Sequence, residues 1–256
     1  MRVTMLGCGP SWGVPRIGGE WGACDPAEPR NRRRRVSVLV EEAGAVLLID
    51  TAPDLREQLL DAGVRRVDAV LFTHAHADHL HGIDDLRSVN WLMRQAIPIF
   101  ASASSLAEIR QRFGYVLDAA KADRRSVYYK PVLEPNVIDG PFTAAGVSVV
   151  PFIQDHGFSE TLGFRLGNFA YSTDVIELDD AAFSVLAGVE VWIVDCIRRA
   201  PHVTHAHLDK TLAWVARVRP RRAVLTHMDE SLDYRALCRE LPPGVEPGYD
   251  GLTIDL

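Results

Sequence analysis

The sequence contains no apolar run approaching the ~20 residues that a membrane span needs. The apolar part of its start, Met1 to Leu6, is too short for a secretory signal and runs straight into a Gly-rich turn. Four cysteines (Cys8, Cys24, Cys196, Cys238) lie far apart with no paired spacing. That argues against a disulfide framework and for a reducing compartment, so the expected location is the cytoplasm, with no membrane partner. There is no excess of basic charge: the net charge is −6, which leaves no general nucleic-acid footprint, although a local basic patch stays open. No internal repeat, low-complexity tract or Ser/Gly linker interrupts the chain, and one domain over residues 1–256 is expected. What is present is ordinary for a globular protein with a large core: 47% hydrophobic and 24% charged residues.

Short β-branched segments bounded by Gly, Pro or Asp predict strands at Arg2–Leu6, Val36–Glu41, Ala45–Asp50, Ala69–Phe72, Ile97–Ala101, Val147–Phe152, Leu162–Leu166, Phe169–Thr173, Val191–Asp195, Arg222–Leu225 and Leu252–Leu256. Helices are predicted at Pro53–Ala62, Ile83–Met93, Ser104–Phe113, Asp179–Ala187, Leu208–Val218 and Tyr234–Glu240; in Leu208–Val218 the residues Leu208, Leu212, Val215 and Ala216 share one face. Strands come in consecutive groups with helices between the groups, which fits two packed sheets with outer helices better than one doubly wound sheet.

The most informative stretch is Thr73-His74-Ala75-His76-Ala77-Asp78-His79, on what reads as a loop after the apolar strand Ala69–Phe72. Three imidazoles and a carboxylate at such spacing cannot all point at one metal. They suit two adjacent metals, each needing ligands from elsewhere, and His156, Asp174 and His227 each stand at the end of a strand-like segment. Imidazole and carboxylate donors suit zinc, manganese or iron, and the lack of Met or Cys in the cluster disfavours copper.

The run His74-Ala75-His76-Ala77-Asp78-His79 resembles the HxHxDH signature of the metallo-β-lactamase superfamily, and His156, Asp174 and His227 follow in that superfamily's order. The resemblance spans nearly the whole chain. It implies an α/β fold, a four-layer αβ/βα sandwich of two mixed β-sheets flanked by helices, holding two divalent metal ions. By motif matching one ion would take His74, His76, His156 and Asp174. The other would take Asp78, His79, Asp174 and His227, with Asp174 and a water or hydroxide as bridges. Shared anions screen two closely spaced dications, and the pair lowers the pKa of bound water. Asp50, ending its strand, matches a superfamily aspartate that orients the metal loop.

Further segments are similar to the PhnP-like phosphodiesterase branch. Gly7-Cys8-Gly9-Pro10-Ser11-Trp12-Gly13-Val14-Pro15 resembles its Gly-rich GTGTSxGVP start, Pro29 to Arg35 its DPRNRR segment, Pro201-His202-Val203-Thr204-His205 its PHPTH stretch, and Leu241–Leu256 its ending. His205 matches the histidine this branch carries near the leaving group, where an imidazolium can donate a proton. His202 and His207 flank it, and sequence alone does not choose firmly among the three. The Arg30–Arg35 run fits either a solvated face or attraction of an anionic substrate. One feature departs from the branch. Its extra structural zinc uses a CxCxxC and a later His, but here those positions are Gly19, Trp21, Cys24 and Glu230. Structural zinc is normally four-coordinate, so no additional structural zinc is expected, with Trp21 filling the loop by packing.

The implied function is a dinuclear metal phosphodiesterase using zinc or manganese. Metal-bridging hydroxide would attack phosphorus, Asp78 would serve as ligand and catalytic carboxylate, and His205 would assist the leaving alkoxide. Ser11, His202 and His207 are expected to touch substrate or support the site. The expected partner is a small phosphodiester or nucleotide, such as a phosphoribosyl cyclic phosphate. Nucleic acid is disfavoured because the chain lacks the long inserted arm of ribonuclease Z relatives, and a homodimer stays open. Competing expectations are thioester or lactone hydrolysis on the same ligands, a ribonuclease Z-like nuclease, and a non-catalytic nucleotide- or metal-binding module, against which the intact ligand set argues.

Overall fold

The computed structural model describes residues 1–118 and 130–256. Two seven-stranded sheets face one another. The first is built from β1 (Arg2–Gly7), β2 (Ser37–Glu42), β3 (Ala45–Ile49), β4 (Ala69–Leu71), β5 (Ile97–Ala101), β6 (Leu133–Val137) and the last strand, β14 (Thr253–Asp255). The second contains β7 (Phe142–Ala144), β8 (Val147–Asp155), β9 (Glu160–Leu166), β10 (Phe169–Ser172), β11 (Val191–Asp195), β12 (Arg222–Thr226) and β13 (Val245–Pro247). The orders are β14-β1-β2-β3-β4-β5-β6 and β13-β12-β11-β10-β9-β8-β7.

Each sheet has the same plan, a four-stranded antiparallel part continued by parallel strands. In the first sheet β14, β1, β2 and β3 pair antiparallel and β3 to β6 pair parallel. In the second, β7 to β10 are antiparallel and β10 to β13 parallel. The sequence shows no repeat, yet the topology has one.

Alternation along the strands explains the layering. Val38, Val40, Leu47, Ile49, Ala69 and Leu71 point inward and join Phe164, Leu166, Tyr171, Ile193 and Val224 of the opposing sheet in the central core. Their neighbours Leu39, Leu48 and Val70 face outward and pack with Leu55, Leu59, Leu86 and Ile109. Those four belong to α1 (Leu55–Asp61), α3 (Leu86–Met93) and α4 (Ala103–Leu117). Strands apolar on both faces are what a sheet covered on both sides requires. On the other flank Phe183 of α5 (Asp180–Leu186), Trp214 of α6 (Leu208–Val218) and Leu237 of α7 (Tyr234–Glu240) are buried in the cluster that includes Trp192.

The fold is therefore the four-layer α/β sandwich that the sequence implies, with three additions. Strands β6, β7 and β13 were not predicted; all three are sheet edges, and β6 and β13 contain Pro135 and Pro247. Proline is tolerated at an edge because its missing N–H costs no ladder bond there. The predicted helix Ile83–Met93 begins as a 3-10 turn over Ile83–Asp85. The stretch read as a loop after β4 carries a one-turn helix, α2 (Ala77–Leu80). No helix among the described residues is long and apolar enough to cross a membrane.

Candidate metal centre

The C-terminal ends of strands from both sheets meet at one edge of the sandwich, where α/β folds characteristically gather their ligands. From the first sheet come Asp50 after β3 and the His74–His79 segment after β4. The second sheet supplies His156 after β8, Asp174 after β10, Asp195 at the end of β11 and His227 after β12. Leu162 N–H donates to Thr73 O at 2.9 Å, tying the histidine loop to the second sheet. Asp50, Asp174 and His227 have φ of 61°, 54° and 59°. This left-handed conformation lets a chain leaving a strand turn at once, and Asp and His tolerate it better than most residues.

Two donor groups form. His74, His76, His156 and Asp174 place one donor atom each within 4.8 Å of one another, and Asp78, His79 and His227 do the same. Asp174 spans the two groups: its Oδ1 lies 3.8 Å from His74 Nε2 and 3.7 Å from His156 Nε2, while its Oδ2 lies 3.0 Å from His79 Nε2 and 3.5 Å from His227 Nε2. All except His76 are buried. A third group joins Asp174, His205 and His227.

A hydrogen-bond chain behind the rings sets which nitrogen faces the centre. Asp50, fully buried, accepts from Thr73 N–H and from the Thr73 hydroxyl, each at 2.8 Å, and from His79 Nδ1 at 2.8 Å. With its proton given to Asp50, the Thr73 oxygen is free to accept from His74 Nδ1 at 3.0 Å. His156 Nδ1 donates to Thr204 O at 2.8 Å. Each ring thereby turns Nε2 inward, and the buried Nε2 atoms of His74 and His79 have no hydrogen-bond partner. Buried polar atoms are rarely left unpaired, and two imidazole lone pairs beside a shared carboxylate fit a divalent cation.

The charges point the same way. Burial opposes ionisation of Asp174, but the His227, His79 and His205 rings overcome it and hold its carboxyl well below the usual range. Burial also works against a charged His79, yet the Asp174, Asp78 and Asp50 carboxylates lift it well above an ordinary imidazole. Burial and the neighbouring His79 push His74 well below. The cluster thus draws positive charge to its centre, and a cation there would do what the His79 proton does.

His205 stands on the rim of this centre. Its Nδ1 is 3.2 Å from Asp195 Oδ2 and its Nε2 is 3.7 Å from Asp174 Oδ1. Burial lowers its pKa, but the Asp195 and Asp174 carboxylates prevail and push it up to about 9. A cavity of about 520 Å³ opens over the centre, lined by Ser11, His76, Asp78, Phe158, His205 and His227 among others. His202 stands behind His205, ring centroids 5.1 Å apart, and its Nδ1 accepts from Thr204 N–H. His207 precedes the first turn of α6 and does not line the cavity. Of the three histidines left open by the sequence, only His205 is brought to it. A further cavity of about 460 Å³ contains Ser102, Phe152 and Asp179, but none of the clustered donors among the described residues lines it.

Asp195 was missed by sequence reasoning. It is fully buried and accepts from His205, Ala206 N–H and Val175 N–H, the last two at 3.2 and 3.3 Å. The signal was available: an apolar strand ending in Asp, as in Ile49-Asp50, recurs in Val194-Asp195. The arginine run, by contrast, serves the scaffold. Arg30 pairs with Glu28, Arg34 with Asp250 and Asp61, and Arg35 with Asp54, while Arg33 is buried and donates to Asp229 O and Leu232 O. None of them lines the cavity. Where the PhnP-like zinc would lie, Glu230 accepts from Trp12 Nε1 at 2.9 Å and pairs with Arg16 at 2.6 Å, and its carbonyl accepts from Ala23 N–H. Trp21 is half-buried.

Residues 46–228 match the family described as Beta-lactamase superfamily domain. A solved crystal structure of a new diphosphatase from the PhnP family is 32% identical and superposes with a TM-score of 0.91, over 100% of this chain and 97% of that one. An octanoyltransferase of Porphyromonas gingivalis is 33% identical over 98% of this chain and 51% of its own length. A ribonuclease Z of Bradyrhizobium diazoefficiens is 32% identical over 53% of this chain and 45% of its own length. The chain thus spans about half the length of these two curated relatives.

Proposed function

This chain belongs to the PhnP-like branch of the metallo-β-lactamase superfamily, and on that premise we propose that it is a dinuclear metal phosphodiesterase acting on a small phosphodiester, such as a cyclic phosphate of a ribose or nucleotide. One observation carries the reading: the two donor groups, spanned by Asp174, meet at a cavity that His205 also lines, with Asp195 behind that ring.

His74, His76, His156 and Asp174 would hold one ion, and Asp78, His79, Asp174 and His227 the other, zinc and manganese suiting these donors equally. Bound there, the ions would activate water and neutralise phosphoryl oxygens, the chemistry two-metal sites supply. The remaining work falls to the chain. Asp50 and Thr73 keep the His74 and His79 rings oriented. Asp195 holds the His205 ring through Nδ1, so that Nε2 faces the cavity and can give a proton to the departing alkoxide, a contribution typically of about 10²–10⁴-fold. Ser11 lines the cavity where the substrate's non-reacting part would lie.

An acyl-transfer reading finds support in the octanoyltransferase name, but that name belongs to a protein of which this chain matches about half. A long nucleic acid is disfavoured by the net charge of −6 and by the absence of Arg or Lys among the described residues that line the cavity. Zinc- or manganese-loaded protein is expected to hydrolyse bis-p-nitrophenyl phosphate and cyclic phosphoribosides. His205→Gln should lower kcat by roughly 10²-fold or more with its metal content unchanged. Turnover of thioesters with no phosphodiester touched would overturn the assignment.

A further inference from the structure

Phe158 is 90% exposed, yet it lines the same cavity as His76, His156, His205 and His227. A phenyl ring standing in water forgoes the burial that usually holds aromatic side chains in a core. A loose loop does not explain it. His156 N–H donates to Ser159 O at 2.8 Å, Phe158 N–H to His156 O at 3.0 Å and Gly157 N–H to Asp155 Oδ1 at 2.6 Å. The root of the turn is bonded on both sides, Asp155 N–H to Glu177 O and Ile176 N–H to Asp155 O. Gly157, with φ +79°, lies so close to the next loop that a Cβ there would meet Val203 O at 2.8 Å. Backbone is packed on backbone, and the ring is held out over the cavity mouth.

Charge fixes the orientation of a ligand on this ring. Beyond Phe158 lies a second hollow of about 560 Å³ whose lining includes Asp155, Glu160 and Asp179, with Glu177 paired to Lys210. Those carboxylates repel an anion, whereas the histidine side attracts one. A ligand with a charged end and a flat neutral end would therefore lay the flat end on Phe158.

We propose that Phe158 is a stacking platform, and that the substrate class is a phosphodiester carrying a nucleobase or similar aromatic ring, in preference to a bare sugar phosphate. The inference rests on the phosphodiesterase reading of the neighbouring site. Stacking on an exposed aromatic side chain is worth about ten-fold or more in affinity.

Calorimetric binding of AMP and of ribose 5-phosphate to the metal-loaded full chain tests it. Wild type is expected to bind AMP about ten-fold more tightly, Phe158→Ala to erase that preference by weakening AMP alone, and Phe158→Trp to keep it. Equal binding of the two ligands by wild type, undetectable AMP binding, or a preference surviving Phe158→Ala overturns the proposal. Turnover of 2′,3′-cyclic AMP is measured separately. A ring preference in binding with no turnover of any phosphodiester would leave the platform standing and remove the hydrolase reading.

Discussion

Replacing Asp50 by Asn changes one side-chain atom in a fully buried position, and its consequences can be followed bond by bond. The Asn carbonyl oxygen can still accept from Thr73 N–H, as Asp50 Oδ1 does at 2.8 Å. Its amide then takes the place of Oδ2, which now accepts from both the Thr73 hydroxyl and His79 Nδ1. A donor in that place forces His79 Nδ1 to accept, which moves the ring proton to Nε2. The Thr73 hydroxyl must likewise accept from the amide and donate onward to His74 Nδ1, moving that ring's proton to Nε2 as well. Both inward nitrogens lose the lone pair a cation needs. Loss of such an outer hydrogen bond typically weakens metal binding by about 10–100-fold, or roughly 1–3 kcal/mol. Because His74 and His79 belong to different donor groups, binding of each of the two proposed ions should weaken. Metal-free Asp50→Asn protein should remain folded, since the isosteric side chain keeps the bond from Thr73 N–H, although His79 loses an ion-pair partner. Competition against a chromophoric zinc chelator, with circular dichroism as the fold control, measures the effect. Affinities within a factor of two of wild type for both equivalents would refute the reasoning.

Three other perturbations test the frame around the site. In Gly82→Ala, the new Cβ would press into Ala52 O, where Gly82 N–H bonds Thr51 O at 2.9 Å, so the α2 segment must move off the Asp50 turn; urea unfolding should show a loss of roughly 1–3 kcal/mol, and an unchanged midpoint would argue against it. Glu230→Ala removes the acceptor for Trp12 and the partner of Arg16, so limited proteolysis should cut faster within residues 10–25 at unchanged metal content; equal cutting rates would contradict the role given to Glu230. Asp250 has its pKa raised to about 6 by burial, against the pull of Arg34, so the folded state holds a proton that the unfolded chain has released near pH 4. Wild type should lose up to about 3 kcal/mol of stability as pH rises from 4 to 7, and Asp250→Asn should not, a difference that denaturant titrations across that window would reveal or deny.

Much of the candidate site was legible because its residue types are rare in such density. The His74–His79 run announces itself, and the partners His156, Asp174 and His227 fall at strand ends the alternation already marks. The edge strands β7 and β13 escaped notice because they are three residues long, and β6 and β13 carry proline, which reads as a breaker in a chain considered without its neighbours. The α2 turn is too brief to display a helical period. The internal pairing of Arg34 and Arg35 was invisible because their partners Asp54, Asp61 and Asp250 lie 19 to 216 positions away. Asp195 looked like the end of a strand, and only the fold brings it beneath His205.

Asp50, Asp174 and His227 all occupy left-handed backbone at a strand's end. In a lineage that abandoned catalysis, mutations at these three sites would not be equally free. Asn and Gly could enter without backbone penalty, whereas Val or Ile would strain the turn by roughly 1–3 kcal/mol each. Silenced descendants should therefore drift toward Asn and Gly at these positions, so that a vanished metal centre would leave its outline in the spelling of the turns.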